Sequence, residues 1–404
     1  MRILFLNPLS ELGGAERCLL DLQASLAELT PAPEMHLAVG GPGPLVDQAE
    51  DIGVRVHVVP MPRRLAAVGD STHGGSSLAG LLRMMREAAL GGAAAIGYVR
   101  RLRRLVREVA PDILYSNGIK SHLMATLASG GVPVVWHIRD LIGRRRLVAR
   151  VLRLAAPRAT LAIAISRLVE SDAREVLGSL PIYVVHDAID TDTFSPEPGD
   201  GDWLDRIAGF PASLVPVVRV GLIATYARWK GQDVFLDAIA RIPESPDGVD
   251  VRYFIVGGPI YETRGSQFSQ AELRDHADRL GVSARVGFVP FQNGIVDVFR
   301  ALDVVVHAST HPEPFGRTIA EAMACGRAVV MTNATGAGEL TDESSATQVP
   351  PGDAAALAQA IRTLAVDPAS RSRMGDRGRE VAVEQYSRAR LGSAVMKALL
   401  GVSP

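Results

Sequence analysis

Short apolar runs alternate with helical segments along almost the whole chain, and this alternation limits the possible folds more than any other feature. The runs are nearly continuous in Val, Ile and Leu, whereas a strand with one solvated face would alternate apolar and polar residues. Continuous runs separated by helices are typical of a parallel sheet that helices cover on both faces. The sequence therefore predicts an α/β fold. The predicted strands are residues 3–6, 36–39, 54–59, 113–115, 132–136, 161–165, 215–222, 251–256, 285–289, 304–307 and 328–331.

A segment rich in Pro, Gly and Asp interrupts this pattern after Phe194 and ends at Asp202, and the alternation then restarts. A chain of 404 residues is longer than a domain with one hydrophobic core usually is. We therefore interpret the segment as a linker between two doubly wound, Rossmann-like domains. Ligands of such sheets bind beyond the carboxyl ends of the strands, so we expect the domains to face a central cleft. The predicted division is an N-terminal domain over residues 1–194, a linker over 195–214, a C-terminal domain over 215–385 and a C-terminal helix over 386–404 that crosses back to the N-terminal domain.

Composition excludes several classes of protein. Hydrophobic residues make up 47% of the chain and charged residues 22%, which is typical of a folded domain and not of a disordered one. The net charge of −1 gives no overall attraction to nucleic acid, and two cysteines are too few for a disulfide framework. The first residues contain only a four-residue apolar run, and no run reaches the length of a spanning helix. We therefore expect a cytoplasmic protein, with any membrane contact being peripheral.

The most specific motif spans residues 307–326, where seven residues separate Glu313 from Glu321. Glu313 lies on the loop after strand 304–307, and Glu321 lies inside a helix that begins near Gly316. The N-terminus of a helix attracts phosphate through its free N–H groups and its partial positive charge. A carboxylate accepts hydrogen bonds from two hydroxyl groups at once, as a sugar or a ribose offers them. The motif therefore indicates a sugar-nucleotide site, whereas the alternative is a pair of capping and solvation residues.

This motif resembles that of glycosyltransferase family 4, whose members have the GT-B fold of two facing Rossmann-like domains. The resemblance implies a retaining, metal-independent enzyme that needs no cofactor. It would move a sugar from a nucleotide-diphosphate-sugar donor to a hydroxyl of a glycan or lipid-linked acceptor. The nucleotide of the donor would be UDP or GDP. It also implies that Glu313 holds sugar hydroxyls and Glu321 ribose hydroxyls. Around the sugar and diphosphate it places Phe315, Gly316, Arg317 and Thr318.

A second motif lies between a strand and a helix at residues 224–233 and contains Arg228 and Lys230. Cations at this position would neutralise the diphosphate as it leaves, which is where negative charge grows in the transition state. The family usually has an arginine five residues before this lysine, but Thr225 stands there, and Arg228 is the only arginine nearby. We predict Lys230 and Arg228 as catalytic cations, against the alternative of a surface turn. Gly257, which follows strand 251–256, is predicted to lie in the donor site as well.

The N-terminal half carries weaker signals. Gly13 and Gly14 precede a helix and match a Gly-Gly-Ala-Glu sequence of the family, which implies donor contact, although by themselves they indicate only a turn. His137 ends a strand where the family carries a histidine close to the transferred sugar, so we predict a catalytic contact; a structural histidine is the alternative. Asn117 and Arg139 follow neighbouring strands and are predicted to bind the acceptor.

Two helices are expected to carry arginine-rich faces. Arg100, Arg103, Arg104 and Arg107 repeat at helical spacing opposite an apolar stripe, and residues 144–154 have a similar pattern. Basic residues outnumber acidic ones by 18 to 6 between residues 61 and 170. These faces are either solvated surfaces of core-packed helices or a surface for an anionic acceptor or an anionic membrane.

Two other functions share this fold. A sugar-nucleotide 2-epimerase would need acid and base groups near the anomeric carbon, which the glutamate motif fits less well. A non-catalytic sugar-nucleotide-binding subunit is favoured only if the change at Thr225 is disabling.

Overall fold

The computed structural model describes residues 1–62, 78–259, 265–292, 294–333 and 336–401, without the side chains of residues 78–91 and 93. The chain divides into two compact units. The first unit contains Met1–Ala188 together with the C-terminal segment that begins at Arg388, and the second contains Ile189–Ser387.

The first unit is built on a seven-stranded parallel sheet with the order β3-β2-β1-β4-β5-β6-β7. Its strands are β1 (Arg2–Asn7), β2 (Glu34–Val39), β3 (Arg55–Val58), β4 (Ile113–Asn117), β5 (Val134–Ile138), β6 (Leu161–Ala164) and β7 (Ile182–Val184). Its helices are α1 (Gly14–Ala27), α2 (Pro44–Asp51), α3 (Leu78–Val109), α4 (Ile119–Ala128), α5 (Arg146–Ala155), α6 (Arg167–Leu177) and the C-terminal α14 (Arg388–Leu400). The central strands β4 and β5 are buried along their whole length, including the polar Ser116, Asn117 and His137.

The C-terminal helix α14 packs on α1 within this unit. Gly392 makes the close approach possible, since a Cβ there would lie 2.7 Å from the Ser25 carbonyl oxygen. The Gly392 N–H donates to Ser25 Oγ at 2.7 Å, and Leu391, Val395 and Leu399 enter the same hydrophobic core as β1 and α1.

The second unit repeats the plan with six parallel strands in the order β10-β9-β8-β11-β12-β13. Its strands are β8 (Val217–Ile223), β9 (Asp250–Val256), β10 (Val286–Val289), β11 (Val304–His307), β12 (Ala328–Thr332) and β13 (Thr347–Val349). Its helices are α7 (Gly201–Ala208), α8 (Gln232–Ile239), α9 (Gln270–Arg279), α10 (Ile295–Ala301), α11 (Arg317–Ala324), α12 (Ala354–Val366) and α13 (Pro368–Tyr386). In each sheet the strand order reverses direction at one place, between β1 and β4 and between β8 and β11. Ligands of such sheets bind beside that switch point.

The predicted fold class, with two parallel-sheet Rossmann-like domains, is confirmed. The sequence pattern did not indicate the short edge strands β7 and β13. It also placed a linker at residues 195–214, where the structure forms α7. Asp200 caps this helix by accepting from the Trp203 N–H at 2.8 Å, and Gly209 ends it in the left-handed conformation. In the described part of the chain, no helix has the length and apolar character needed to cross a bilayer.

Candidate active site

The loops that follow β8 and β11 are joined to each other at the switch point of the second sheet. After β8 the chain forms a short 3₁₀ turn, Arg228–Lys230, and then Gly231 adopts a φ of +75°. A Cβ at Gly231 would lie 2.0 Å from the Ala308 carbonyl oxygen, so only glycine permits this approach. The Thr310 N–H donates to the Trp229 carbonyl oxygen at 2.8 Å. These contacts fix Lys230 against the residues that follow β11.

Lys230 and Glu313 form an ion pair at this place, with Nζ 2.6 Å from Oε2. Two further groups converge on the same oxygen: His307 Nε2 at 3.3 Å and Ser309 Oγ at 3.2 Å. No described residue donates to Glu313 Oε1, which therefore remains able to accept a hydrogen bond from a ligand hydroxyl.

Glu313 is buried and ionised. Burial by itself raises the pKa of this carboxyl, but the Lys230 ammonium and the hydrogen bond from His307 outweigh burial and hold the pKa well below its usual range. The carboxylate is thus an acceptor only, as binding of hydroxyl donors requires.

His307 and Ser309 belong to this site and were not singled out in the sequence. His307 is the last residue of β11, next to the switch point, and is buried. Its Nδ1 atom is buried and has no hydrogen-bond partner among the described residues. Their position in the sequence was the available signal. These two polar residues lie where an otherwise apolar strand next to the switch point ends.

Helix α11 carries the second glutamate. It begins after Gly316, whose φ of +97° is unfavourable for other residues. Arg317 Nε donates to Glu321 Oε1 at 2.7 Å, one turn along the helix, and Glu321 is buried. Thr318 is half-buried in the first turn of the same helix. The first N–H groups of α11 lie three to five residues after Glu313, so a carboxylate and a helix N-terminus adjoin, as the motif predicts.

Phe315, which directly precedes Gly316, is packed inside the second unit. Its ring is buried and packs edge-on against Tyr386 with the ring centroids 5.9 Å apart. The side chain therefore belongs to the core of the unit, and the predicted place of Phe315 beside the sugar and diphosphate stays a prediction. Burial against Tyr386 stabilises this apolar ring.

Gly257 also has a structural explanation. Its φ is +135°, and a Cβ would lie 2.1 Å from the Ala224 carbonyl oxygen, at the start of the loop that leads to Lys230. The residue lets the ends of β8 and β9 approach each other, and its predicted donor contact stays a prediction.

Arg228 does not join Lys230. Its Nη2 donates to Glu272 Oε1 at 2.7 Å, its Nε donates to the Gly265 carbonyl oxygen, and its guanidinium lies 4.3 Å from the centre of the Phe268 ring. A hydrogen bond from the Ser269 N–H and a second from Arg228 lower the pKa of Glu272 to about 2, so this pair is charged. Among the described residues no hydrogen bond or ion pair links Arg228 to Glu313 or Lys230. Its predicted role on the diphosphate stays a prediction.

In the first unit three polar side chains form a row at the carboxyl ends of β1, β4 and β5. The strand register places Asn117 of β4 beside His137 of β5, and Asn117 Nδ2 donates to Asn7 Oδ1 at 2.8 Å. Asn117 Oδ1 is buried with no hydrogen-bond partner among the described residues. An unpaired buried carbonyl is unfavourable unless a ligand or water donates to it, which supports a binding role.

His137 is buried against Tyr115, with the ring centroids 5.4 Å apart. Burial lowers the pKa of His137 well below its usual range, and the positive charge of Arg139 lowers it further. The imidazole is therefore neutral: its Nδ1 accepts from Arg139 Nη1 at 3.5 Å, and its Nε2–H is the donor that a sugar hydroxyl could accept from.

Two other predicted residues of this unit already have hydrogen-bond or ion-pair partners within the unit. Arg139 forms a buried ion pair with Asp187 through Nη2 and Oδ2. The Gly13 N–H donates to Glu16 Oε2 at 3.1 Å, at the start of α1, and Asn7 Nδ2 donates to Glu16 Oε1 at 3.2 Å. Gly14 is the first residue of α1, and a Cβ there would contact nothing within 4 Å. The acceptor role of Arg139 and the donor role of the two glycines remain predictions.

The solved structures similar to this chain define its class. Anabaena HepE in complex with UDP and glucose is 26% identical, with a TM-score of 0.79 and coverage of 99% of both chains. The sucrose-phosphate synthase of Thermosynechococcus elongatus, at 17% identity and a TM-score of 0.73, covers 100% of both chains and supports the fold alone. Two parallel-sheet Rossmann-like units with these neighbours define a protein of the GT-B fold.

The family models place the chain more narrowly. The model described as "Glycosyl transferases group 1" matches residues 219–381, and that described as "Glycosyl transferase 4-like domain" matches residues 13–186. The D-inositol 3-phosphate glycosyltransferase of Mycolicibacterium smegmatis is 39% identical over 152 residues, which are 37% of this chain and 31% of that protein. The alignment thus spans about a third of the length of this relative. The chain belongs to the family 4 type of glycosyltransferases.

Proposed function

We propose that this chain is a retaining glycosyltransferase that moves a sugar from a UDP-sugar to a hydroxyl of a glycan or lipid-linked acceptor. The observation that carries the proposal is the Lys230–Glu313 pair at the switch point of the second sheet, beside the N-terminus of α11. The pair offers a cation for a diphosphate and an unoccupied carboxylate oxygen for a sugar hydroxyl. HepE, whose structures contain UDP and UDP-glucose, supports UDP as the nucleotide of the donor.

In this proposal the second unit binds the donor. Lys230 and the first N–H groups of α11 contact the diphosphate, Glu313 Oε1 accepts a sugar hydroxyl, and Glu321 accepts the ribose hydroxyls. The bond between the anomeric carbon and the phosphate oxygen breaks while the acceptor oxygen bonds to the same face of that carbon. The acceptor proton passes to the departing phosphate oxygen, so no protein base is needed. The ammonium stabilises the charge that grows on the diphosphate.

The first unit is proposed to hold the acceptor. Its residue His137 is proposed to hold a hydroxyl of the transferred sugar. The unpartnered Asn117 Oδ1 supports this assignment because it lies ready to accept from an acceptor hydroxyl. The relatives' printed activity makes an inositol phosphate one acceptor to test beside lipid-linked diphosphates and anionic glycans.

Turnover separates this function from the others that share the fold. Purified protein is incubated with UDP-, GDP- and ADP-sugars, with and without acceptor, and both the nucleotide and the sugar product are identified. We expect UDP to be released only when acceptor is present, with one UDP for each glycosylated product. An α-linked donor should give an α-linked product. An epimerised sugar nucleotide would identify an epimerase, and binding of UDP without turnover with any acceptor would indicate a binding subunit.

Metal independence is tested in the same assay. Side-chain and helix-terminal charges are proposed to cover the diphosphate, so EDTA should leave turnover unchanged. Loss of turnover that magnesium or manganese restores would contradict this part of the proposal.

A further inference from the structure

Two helices of the first unit carry arginine-rich faces that look alike in the sequence, but the structure distinguishes them. In α3 the apolar residues Leu102, Leu105, Val106 and Val109 are all buried. Arg103 donates to the Leu127 carbonyl oxygen through Nε and Nη2, at 3.0 and 2.8 Å. The described end of α3 is therefore a core-packed helix with a solvated outer face.

Helix α5 has the opposite arrangement. Leu147, Val151 and Leu154 are exposed to 61%, 40% and 76%, whereas Leu152 is fully buried and attaches the helix to the unit. The three exposed residues follow the spacing i, i+4, i+7, so they form one stripe along the outer face. Three large apolar side chains in a row on one solvent-facing helix indicate a contact surface.

The charged residues of the segment that carries this stripe are all cationic. Residues 141–160 contain six arginines and no Asp or Glu. Arg144, Arg145, Arg146 and Arg150 are exposed, and no described residue forms an ion pair with them. Arg153 is the exception, since it donates to the Val176 and Glu175 carbonyl oxygens and so helps to hold α5 on α6.

We propose that α5 lies on the surface of an anionic membrane. The apolar stripe would enter the boundary between headgroups and acyl chains, and the four unpaired arginines would contact lipid phosphates. Such a membrane presents a plane of phosphates above hydrocarbon. The apolar stripe is complementary to the hydrocarbon, and the flanking arginines, with no Asp or Glu in residues 141–160, are complementary to the phosphates. The proposal does not depend on glycosyl transfer, because vesicle binding needs no substrate.

Co-sedimentation with vesicles tests the proposal. Vesicles of phosphatidylcholine with phosphatidylglycerol are compared with phosphatidylcholine alone, at 0.15 M and 1 M salt. We expect binding to the anionic vesicles only and a sharp loss at 1 M salt, where the Debye length falls to about 3 Å. The variant Arg144→Gln/Arg146→Gln/Arg150→Gln should bind about a hundredfold more weakly, at about fivefold per arginine. Leu147→Gln/Leu154→Gln should bind at least about tenfold more weakly.

The matched control removes the same charge from α3, as Arg100→Gln/Arg104→Gln/Arg107→Gln, and should keep wild-type vesicle binding. Equal weakening by the α3 and α5 variants, or binding to neutral vesicles as strong as to anionic ones, would overturn the proposal. A dimer in the absence of vesicles that Leu147→Gln/Leu154→Gln dissociates would also overturn it, since the stripe would then contact a second copy. UDP binding is measured in parallel, so failure of the proposed enzymatic function is separable from failure of membrane docking.

Discussion

At the scale of single residues, the sequence identified Glu313 and Lys230 but not their contact. They are 83 residues apart, and only the register of β8 beside β11 brings them to 2.6 Å. The contacts of Phe315 and Arg139 were not predicted for the same reason. A motif does not reveal that the Phe315 ring packs against Tyr386 or that the Arg139 guanidinium pairs with Asp187. Position at a strand end was predictable, whereas the partner of each side chain depends on the tertiary structure.

Lys230→Ala should lower turnover by about 30- to 1,000-fold, the loss typical of a contact worth about 2 to 4 kcal/mol to developing charge. The measurement is the steady-state rate of UDP release at saturating donor. Lys397→Ala is the control, since Lys397 is exposed on α14 and should be replaceable without effect. Equal activity of the two variants would remove Lys230 from the mechanism.

Glu321→Ala should weaken UDP binding by roughly ten- to a hundredfold, because hydrogen bonds from ribose hydroxyls to a carboxylate are worth about 1.5 to 3 kcal/mol. Calorimetric titration measures the affinity, and Glu343→Ala, a change at an exposed loop residue, is the control. Folding is checked by thermal unfolding because the change also removes the partner of Arg317. A folded variant with wild-type affinity would make Glu321 a helix residue only.

The pKa of Glu313 also predicts how stability depends on pH. A carboxyl whose folded pKa lies below its usual 4.5 stabilises the fold above that value, and this contribution is lost as the pH falls from 4.5 toward the lowered folded pKa. Lys230→Ala removes the main cause of the lowering, so its unfolding free energy should change less with pH below 4.5 than that of wild type. Denaturant unfolding from pH 6 to pH 3 gives both curves, and parallel curves would contradict the ionised pair.

At the scale of elements, long buried strands were predicted and short edge strands were not. β11 was predicted with the observed bounds, because three consecutive valines lie in the middle of the sheet. β7 and β13 have three residues each at sheet edges, where burial imposes little pattern. The helix α7 was predictable from its Asp200 and Gly209 caps, but the Pro and Gly content before it obscured that signal.

Gly231→Ala should misplace the loop that carries Lys230. The new Cβ would overlap the Ala308 carbonyl oxygen at 2.0 Å, so the loops after β8 and β11 must separate. Gly281→Ala is a close control: its φ of +70° is near the +75° of Gly231, but nothing lies within 4 Å of its Cβ. We expect both variants to lose about 1 to 2 kcal/mol from the left-handed conformation, and only Gly231→Ala to lose turnover and further stability. Equal melting temperatures and rates would show that the close approach does not position Lys230.

At the scale of the whole molecule, the near-zero net charge conceals two units of opposite sign. The first unit has 25 Lys and Arg against 17 Asp and Glu, a net charge of +8, and the second has 18 against 27, a net charge of −9. The sequence pattern indicated the basic segment at residues 61–170, of which residues 63–77 lie outside the described structure. It placed the domain boundary at residue 194, whereas the compact units divide after Ala188, since the chain beyond that residue pairs with the second unit through Ile189 and Ser387.

This charge separation predicts how acceptor use depends on salt. A net charge of +8 on the unit proposed to bind the acceptor attracts anionic acceptors, and salt screens that attraction, with a Debye length of about 10 Å at 0.1 M and about 3 Å at 1 M. The kcat/KM for a phosphate-bearing acceptor should therefore fall several-fold between these salt concentrations, mainly through KM. A neutral acceptor of the same length, assayed with the same donor, controls for effects of salt on the donor site and on stability, and its kcat/KM should stay within about twofold. A neutral acceptor that loses as much as the anionic one would place the salt effect on the donor, and a preferred cationic acceptor would contradict the assignment of an anionic substrate to the first unit.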